Sequence, residues 1–218
     1  MKRQIKLIGF LHAEQGSLHS PSWRHQDAAT HFRTPAYFQH IARTLERGKF
    51  HMAFFDDRLA MPDIHGHSHE ASVEGGIRPV KMDPVPVMAI MAAATRHLGL
   101  GATGSTTYYE PFHIARTFQT LDLMSEGRAA WNVVTSLNDS EAANFGHDHH
   151  LEHDARYDRA DEFMEVVLGL WNTWDDDAIV QDKAAKRFAD PKKVRALRHE
   201  GRFFKSRGPL PVPRSPQG

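Results

Sequence analysis

Apolar stretches of strand length alternate along this chain with amphipathic stretches of helix length, and a proline or glycine marks most of the joins. No other feature constrains the fold as much, because strands separated by helices pair in parallel through right-handed crossovers. Ile5 to Leu11 reads as the first strand, followed by a polar loop from Ala13 to about Arg33. Thr34-Pro35 then opens a helix, with Thr34 as its cap and Pro35 in its first turn. Phe38, Ile41, Ala42 and Leu45 share one face of it, and Gly48 ends it. Met52 to Phe55 is a second strand, stopping at Asp56-Asp57, and a long loop runs from Ala60 to Met82. Asp83-Pro84 repeats the cap-and-proline signal before an apolar helix of Val87, Met88, Ile90, Met91 and Ala94 that ends near Gly99. Leu98 to Ala102 reads as a third strand running into a polar turn, Thr103 to Thr107. Pro111 opens a helix with Ile114, Ala115, Phe118, Leu121 and Leu123 inward, closed by Gly127, and Ala129 to Val134 is a fourth strand ending at Thr135-Ser136. Ala155 to about Trp174 is an amphipathic helix whose buried stripe is Phe163, Val166, Val167, Leu170 and Trp171. The pattern weakens after Asp175, where a mixed excursion from Ala178 to Lys205 leads into an extended segment, Gly208 to Pro213.

The expected architecture is therefore α/β with a parallel sheet. Polar residues gather just after each strand: His12, Asp57, Thr103 to Thr107, and Thr135 with Ser136. In a parallel sheet or barrel the C-terminal strand ends share one face, where sites are built. The plainer reading, that loops are polar because they face water, also accounts for this gathering.

Composition narrows the function. Charge balances at 27 basic and 27 acidic residues with no long basic run, which argues against nucleic acid or an anionic membrane as a partner. The absence of cysteine removes disulfides, thiolate zinc sites and thiol catalysis. The start, Met1 to His12, is too short an apolar run for a secretory signal, and no stretch reaches the roughly 20 apolar residues of a membrane span. A cytoplasmic protein is expected. The 16 histidines concentrate in His65-Gly-His67-Ser-His69 and in His147-Asp-His149-His150 with His153. They invite a metal reading, but both groups sit in polar loops without a fixed ligand geometry, so no metal site is assigned.

Several segments carry a family resemblance. They include Gly9-Phe-Leu-His12, Trp23-Arg-His25, Glu46-Arg-Gly-Lys-Phe50, Phe54-Phe-Asp-Asp57 and Gly99-Leu-Gly-Ala-Thr-Gly-Ser-Thr-Thr107. Further along are Leu121-Asp-Leu-Met-Ser-Glu-Gly-Arg128, Trp131-Asn-Val-Val-Thr-Ser136, Asn144-Phe-Gly146, Arg156-Tyr157, Phe203-Phe204, Gly208-Pro-Leu210 and Ser215-Pro-Gln-Gly218. Together they resemble the luciferase-like flavin-dependent monooxygenases, in particular the subgroup acting on nitrilotriacetate, EDTA and dibenzothiophene sulfone. The resemblance implies a TIM (β/α)8 barrel, of which residues 1–218 would supply about four N-terminal βα units plus the excursion after residue 175, as a single domain. Family members are roughly twice as long, enough for all eight strands. A truncated barrel half is thus expected to be self-associated and weakly active or inactive by itself.

The resemblance implies a two-component reaction. A separate flavin reductase supplies reduced FMN, and dioxygen oxygenates a small organic compound of xenobiotic type. The protein must hold the ring, anchor the phosphate and exclude water. Asp57 and Thr103 match flavin-contacting positions; otherwise they are a loop carboxylate and a turn hydroxyl satisfying the backbone. Asn132 and Thr135 lie on and just after the fourth strand. A strand amide is costly unless bonded, and a polar ligand or a neighbouring side chain would satisfy it. His153 and Tyr157, four apart at a helix start, share one face and can donate to a phosphate beside free backbone N–H groups. The family uses this pair on FMN. His12 is the candidate catalytic residue, suited to proton transfer, or else a satisfied histidine at a strand end. A metal-dependent hydrolase on a similar barrel and a non-catalytic remnant are the competing functions.

Overall fold

The computed structural model of the chain describes residues 5–14, 22–28 and 30–218. The readings made above for Met1 to Gln4 and for residues 15–21 of the first loop lie outside the described residues. In chain order the elements are β1 (Ile8–Leu11), α1 (Pro35–Arg47), β2 (Met52–Phe55), α2 (Glu70–Gly75), α3 (Pro84–Ala92), β3 (Gly99–Ser105) and α4 (Pro111–Met124). β4 (Ala129–Val134), α5 (Asp139–Asn144), α6 (His153–Trp171), β5 (Ile179–Asp182), β6 (Arg187–Ala189), β7 (His199–Glu200) and β8 (Lys205–Ser206) follow. They form two compact units. The first takes in the chain up to Gly104 together with Arg128–His150, and the second Ser105–Gly127 with Leu151–Gly218.

The first unit is built on a sheet of order β1-β2-β3-β4, so spatial order follows chain order. Ile8 pairs with Met52 and Met52 with Gly99 in parallel register. β4 lies beside β3, where the Leu100 N–H donates to the Arg128 carbonyl at 2.8 Å. Stepping one strand over at each crossover, always in the same direction, is how a (β/α) barrel grows.

Alternation along the strands gives the sheet two unlike faces. Ala53, Phe55, Leu100 and Ala102 are fully buried on one, in the same core as Phe38 and Ala42 of α1 and Val87, Met88 and Met91 of α3. The Phe38 and Phe55 rings lie 6.4 Å apart. Burial of each such large apolar side chain contributes roughly 1.5–3 kcal/mol. On the other face β1 presents Ile8 and Phe10, both about half exposed at 54% and 52%. Phe10 stacks on Phe54 at 5.4 Å. Beside those two rows β3 supplies Gly99 and Gly101, and a Cβ on Gly101 would stand 3.0 Å from the Met52 sulfur.

Local chemistry sets the element ends, with some departures from expectation. Asp83 caps α3 by accepting from the Val85 N–H at 2.9 Å. Thr34 does not cap α1; its hydroxyl donates to the His31 carbonyl at 2.8 Å. The Ala60 to Met82 loop is not wholly irregular, since it contains α2. α3 stops at Ala92, short of Gly99. Beyond its end the Arg128 guanidinium donates to the carbonyls of Ala92, Thr95 and Leu98 and to the Thr95 hydroxyl, at 2.9–3.2 Å, holding the segment that leads to β3.

The second unit packs α4 against α6. Ile114, Ala115, Phe118 and Leu121 meet the stripe of Phe163, Val166, Val167 and Leu170, all buried, and the Trp171 indole donates to the Ala115 carbonyl at 2.9 Å. The excursion after residue 175 consists of two antiparallel pairs, β5–β6 and β7–β8. Glu162 of α6 holds the second pair: its carboxylate accepts the N–H groups of Phe203 and Phe204 at 2.8–3.1 Å and faces His199 at 3.2 Å.

Candidate active site

The register of the first unit builds a layered polar edge. Rows of Ile8, Met52 and Gly99, then Phe10, Phe54 and Gly101, lead along the exposed face toward the C-terminal strand ends. The next row is His12, Asp56 and Thr103. His12 Nδ1 lies 2.7 Å from Asp56 Oδ1. Thr103 belongs to β3 rather than to a turn, since the strand continues to Ser105. Its buried hydroxyl donates to the Phe55 carbonyl at 2.9 Å and accepts from the Asn132 amide at 3.0 Å. The strand amide is thus satisfied by a neighbouring hydroxyl, and the Asn132 residue is exposed. Thr135 is half-buried immediately after β4, beside Ser136, whose φ of 60° is left-handed.

Asp57 follows Asp56 and accepts the Arg58 N–H at 2.8 Å. Burial pushes its carboxyl up to about 6, aided by the nearby charges of Asp83 and Asp56 and opposed by the Arg58 N–H and by Lys81. A carboxyl that changes protonation near neutrality at a strand end is what a cofactor or proton-transfer site uses.

Sequence reasoning missed the ionic cluster behind this row. Glu14, buried at 3% exposure, lies 3.7 Å from His12 Nδ1, 3.4 Å from Arg78 Nε and 3.8 Å from Lys81 Nζ. Arg78 reaches Asp56 Oδ2 at 3.2 Å, and Lys81 is hydrogen-bonded to Asp56 Oδ1. The partners of Asp56 are 22 to 44 residues away from it in sequence, so no local pattern announces them.

His153 and Tyr157 belong to the second unit, at the first turns of α6. Their rings lie 4.7 Å apart and both are exposed. His153 Nδ1 also meets Asp154 at 2.9 Å. Glu152, at the N-cap position, makes no side-chain cap, so the first N–H groups of the helix keep their capacity to bind an anion. The structure therefore joins Thr103 to Asn132, His12 to Asp56, and His153 to Tyr157. His65 and His67 are exposed in a short 3-10 turn. Among the described residues no group of three or more His, Asp or Glu side chains is arranged to hold a metal ion, and no helix is long and apolar enough to cross a membrane.

Four strands in chain order, one face under helices and polar side chains at the C-terminal ends, define the (β/α)-barrel class of fold, represented by its first four βα units. Comparison with known proteins makes this specific. The luciferase-like monooxygenase family model matches residues 8–218, and the chain belongs to that family. It is 57% identical over all 218 residues to dibenzothiophene-sulfone monooxygenase of Rhodococcus erythropolis, covering 48% of that protein. It is 42% identical over 215 residues, or 97% of its length, to nitrilotriacetate monooxygenase component A of Aminobacter aminovorans, covering 47% of it. Among solved structures, a long-chain alkane monooxygenase superposes with a TM-score of 0.94 at 37% identity over 99% of this chain and 50% of that one. A riboflavin lyase holding modified FMN and riboflavin superposes with a TM-score of 0.91 at 37% identity, over 98% of this chain and 48% of that one. The chain spans about half the length of the curated relatives it matches.

Proposed function

We propose that this protein is the oxygenase of a two-component, FMN-dependent monooxygenase system. It takes reduced FMN from a separate flavin reductase and uses dioxygen to oxygenate a small organic compound of xenobiotic type. The observation that carries this reading is the 57% identity to dibenzothiophene-sulfone monooxygenase along the entire chain.

The residues fit the cofactor. A flavin asks for a flat apolar surface, hydrogen-bonding groups at its polar edge, and donors for its phosphate. Phe10 and Phe54 supply stacked aromatic surface, bordered by the hydroxyl and amide of Thr103 and Asn132. The α6 N-terminus, with no capping side chain and with His153 and Tyr157 on its first turns, supplies donors for a phosphate. Asp57, Thr103, Asn132 and Thr135 would hold the ring and its side chain, and His153 and Tyr157 the phosphate. Reduced FMN supplies the oxygen-activating chemistry. The protein's own part is to orient it, keep water out, and hold or pass a proton at His12.

Flavin fluorescence tests the reading. The chain should bind FMN more tightly than riboflavin, Tyr157→Phe and His153→Ala should remove that difference, and Thr103→Val should weaken both ligands. Zinc bound in stoichiometric amount with no response to either flavin would overturn the proposal in favour of a metal-dependent hydrolase.

A further inference from the structure

The cluster at the ends of β1 and β2 holds two carboxylates, Glu14 and Asp56, and two permanent cations, Arg78 and Lys81, around one imidazole, His12. Its charges cancel with the ring neutral. Charges this buried persist only when paired, and here the pairing is closed: each carboxylate faces both cations. Lys81 is 5% exposed at its side chain and Glu14 2%, so the cluster is fixed rather than a set of loose surface pairs. Arg78 and Lys81 come from the segment between α2 and α3, which the Met82 N–H also ties to the Ala13 carbonyl at 2.9 Å.

Asp56 is bonded at both oxygens. Oδ2 takes Arg78 and Oδ1 takes Lys81, and Oδ1 also faces His12 Nδ1 at 2.7 Å. Ionised and held from behind by two cations, it can only accept, so the ring nitrogen it meets must carry a hydrogen. Nε2 is then the nitrogen with the lone pair. It makes no hydrogen bond to any described residue. The Phe10 ring, 4.9 Å away, packs beside the imidazole.

We propose that Asp56 is a positioning residue that locks His12 in the Nδ1–H tautomer and leaves Nε2 as the atom that accepts or returns a proton at the strand-end site, with Arg78 and Lys81 holding Asp56 in place. The tautomer assignment stands on this geometry alone. What Nε2 acts upon rests on the monooxygenase reading above. A carboxylate that fixes an imidazole's tautomer turns a histidine of two equivalent nitrogens into a directed one.

The test is long-range nitrogen–proton NMR on the full chain with 15N-labelled histidine at pH 8, without flavin or substrate. His12, assigned by its loss in His12→Gln, should show a protonated Nδ1 and a bare Nε2. Asp56→Leu should move the proton to Nε2, while Glu14→Gln, which removes the other carboxylate near the same nitrogen, should leave it on Nδ1. A proton on Nε2 in the unsubstituted chain overturns the proposal, as does a Glu14→Gln variant that shifts the tautomer while Asp56→Leu does not. The unsubstituted measurement decides even if a variant does not fold. Because no flavin is present, a negative result here leaves the FMN titration untouched, and failure of that titration leaves this result standing.

Discussion

The side-chain amide of Asn132 on β4 donates to the Thr103 hydroxyl on β3 across 3.0 Å, and that hydroxyl donates in turn to the Phe55 carbonyl on β2 at 2.9 Å. One buried oxygen thus ties three strands together at their C-terminal ends. Thr103→Val keeps the shape but removes the donor to the Phe55 carbonyl, so urea unfolding should report a loss of about 1–3 kcal/mol. Asn132→Ala should cost less, roughly 0.5 kcal/mol, because the amide is exposed and water can serve the hydroxyl in its place. Equal losses would remove the hydroxyl from its bridging role.

Asp57 is held at a cost. Its carboxyl is raised from 3.8 to about 6, chiefly by burial. A raised folded value means that the unfolded chain ionises first, so the contribution of Asp57 to stability is most favourable below pH 4, falls as pH rises through the interval up to about 6, and then levels. Asp57→Asn keeps an acceptor for the Arg58 N–H and removes the charge. It should match the unsubstituted chain at pH 3.5 and exceed it by about 1–3 kcal/mol at pH 8, read from urea midpoints. A constant difference at both pH values would refute the assignment of this charge as the cause. A carboxylate retained against stability is what a binding role at this position would require.

Gly201 is required by its neighbour. A Cβ there would lie 2.0 Å from Glu162 Oε1 and 2.6 Å from His199 Nε2. Gly201→Ala must therefore displace the carboxylate that accepts the Phe203 and Phe204 N–H groups. Hydrogen exchange at those two amides should accelerate by about tenfold or more, while amides in the middle of α6 keep their protection. Glu162→Ala should reproduce the pattern. Unchanged exchange in both variants would show that the β7–β8 turn is held by other contacts.

The fold was legible where periodicity and punctuation agree. β2 and β4 fall on the expected residues, and α4 opens at Pro111 as read. The misses have physical causes. β3 runs on to Ser105 because Thr103 satisfies its hydroxyl across the strands, which a polar Thr/Ser/Gly string disguises as a turn. α2 was hidden in a stretch of histidines, glycines and acidic residues with little apolar period. At the site, Thr103 and Asn132 could be picked out singly but their mutual bond could not. The Glu14, Asp56, Arg78 and Lys81 cluster could not be read at all, since pairing across tens of residues leaves no trace in spacing. The 57% identity over the full chain supports the family reading far better than any single residue does.

Glu46 shows the opposite pH behaviour to Asp57. Burial disfavours its ionised form, but the N–H groups of Arg96, His97 and Leu98 converge on one oxygen at 2.6–3.1 Å and outweigh that penalty, holding the carboxyl below its ordinary range. A depressed folded value gives stability that is present above the unfolded value of 4.5 and lost as pH falls through the folded one. Glu46 belongs to α1 and the three donors to the approach to β3, so this carboxylate organises the segment that α3 leaves after Ala92. Glu46→Gln accepts more weakly and should cost about 1 kcal/mol at pH 7, with the gap narrowing as the solution is acidified below pH 4.5. Combined with Asp57→Asn, the two should act additively, since they concern different segments with no shared partner. A Glu46→Gln deficit that persists unchanged at pH 3 would show that packing, not the charged acceptor, is what the glutamate contributes.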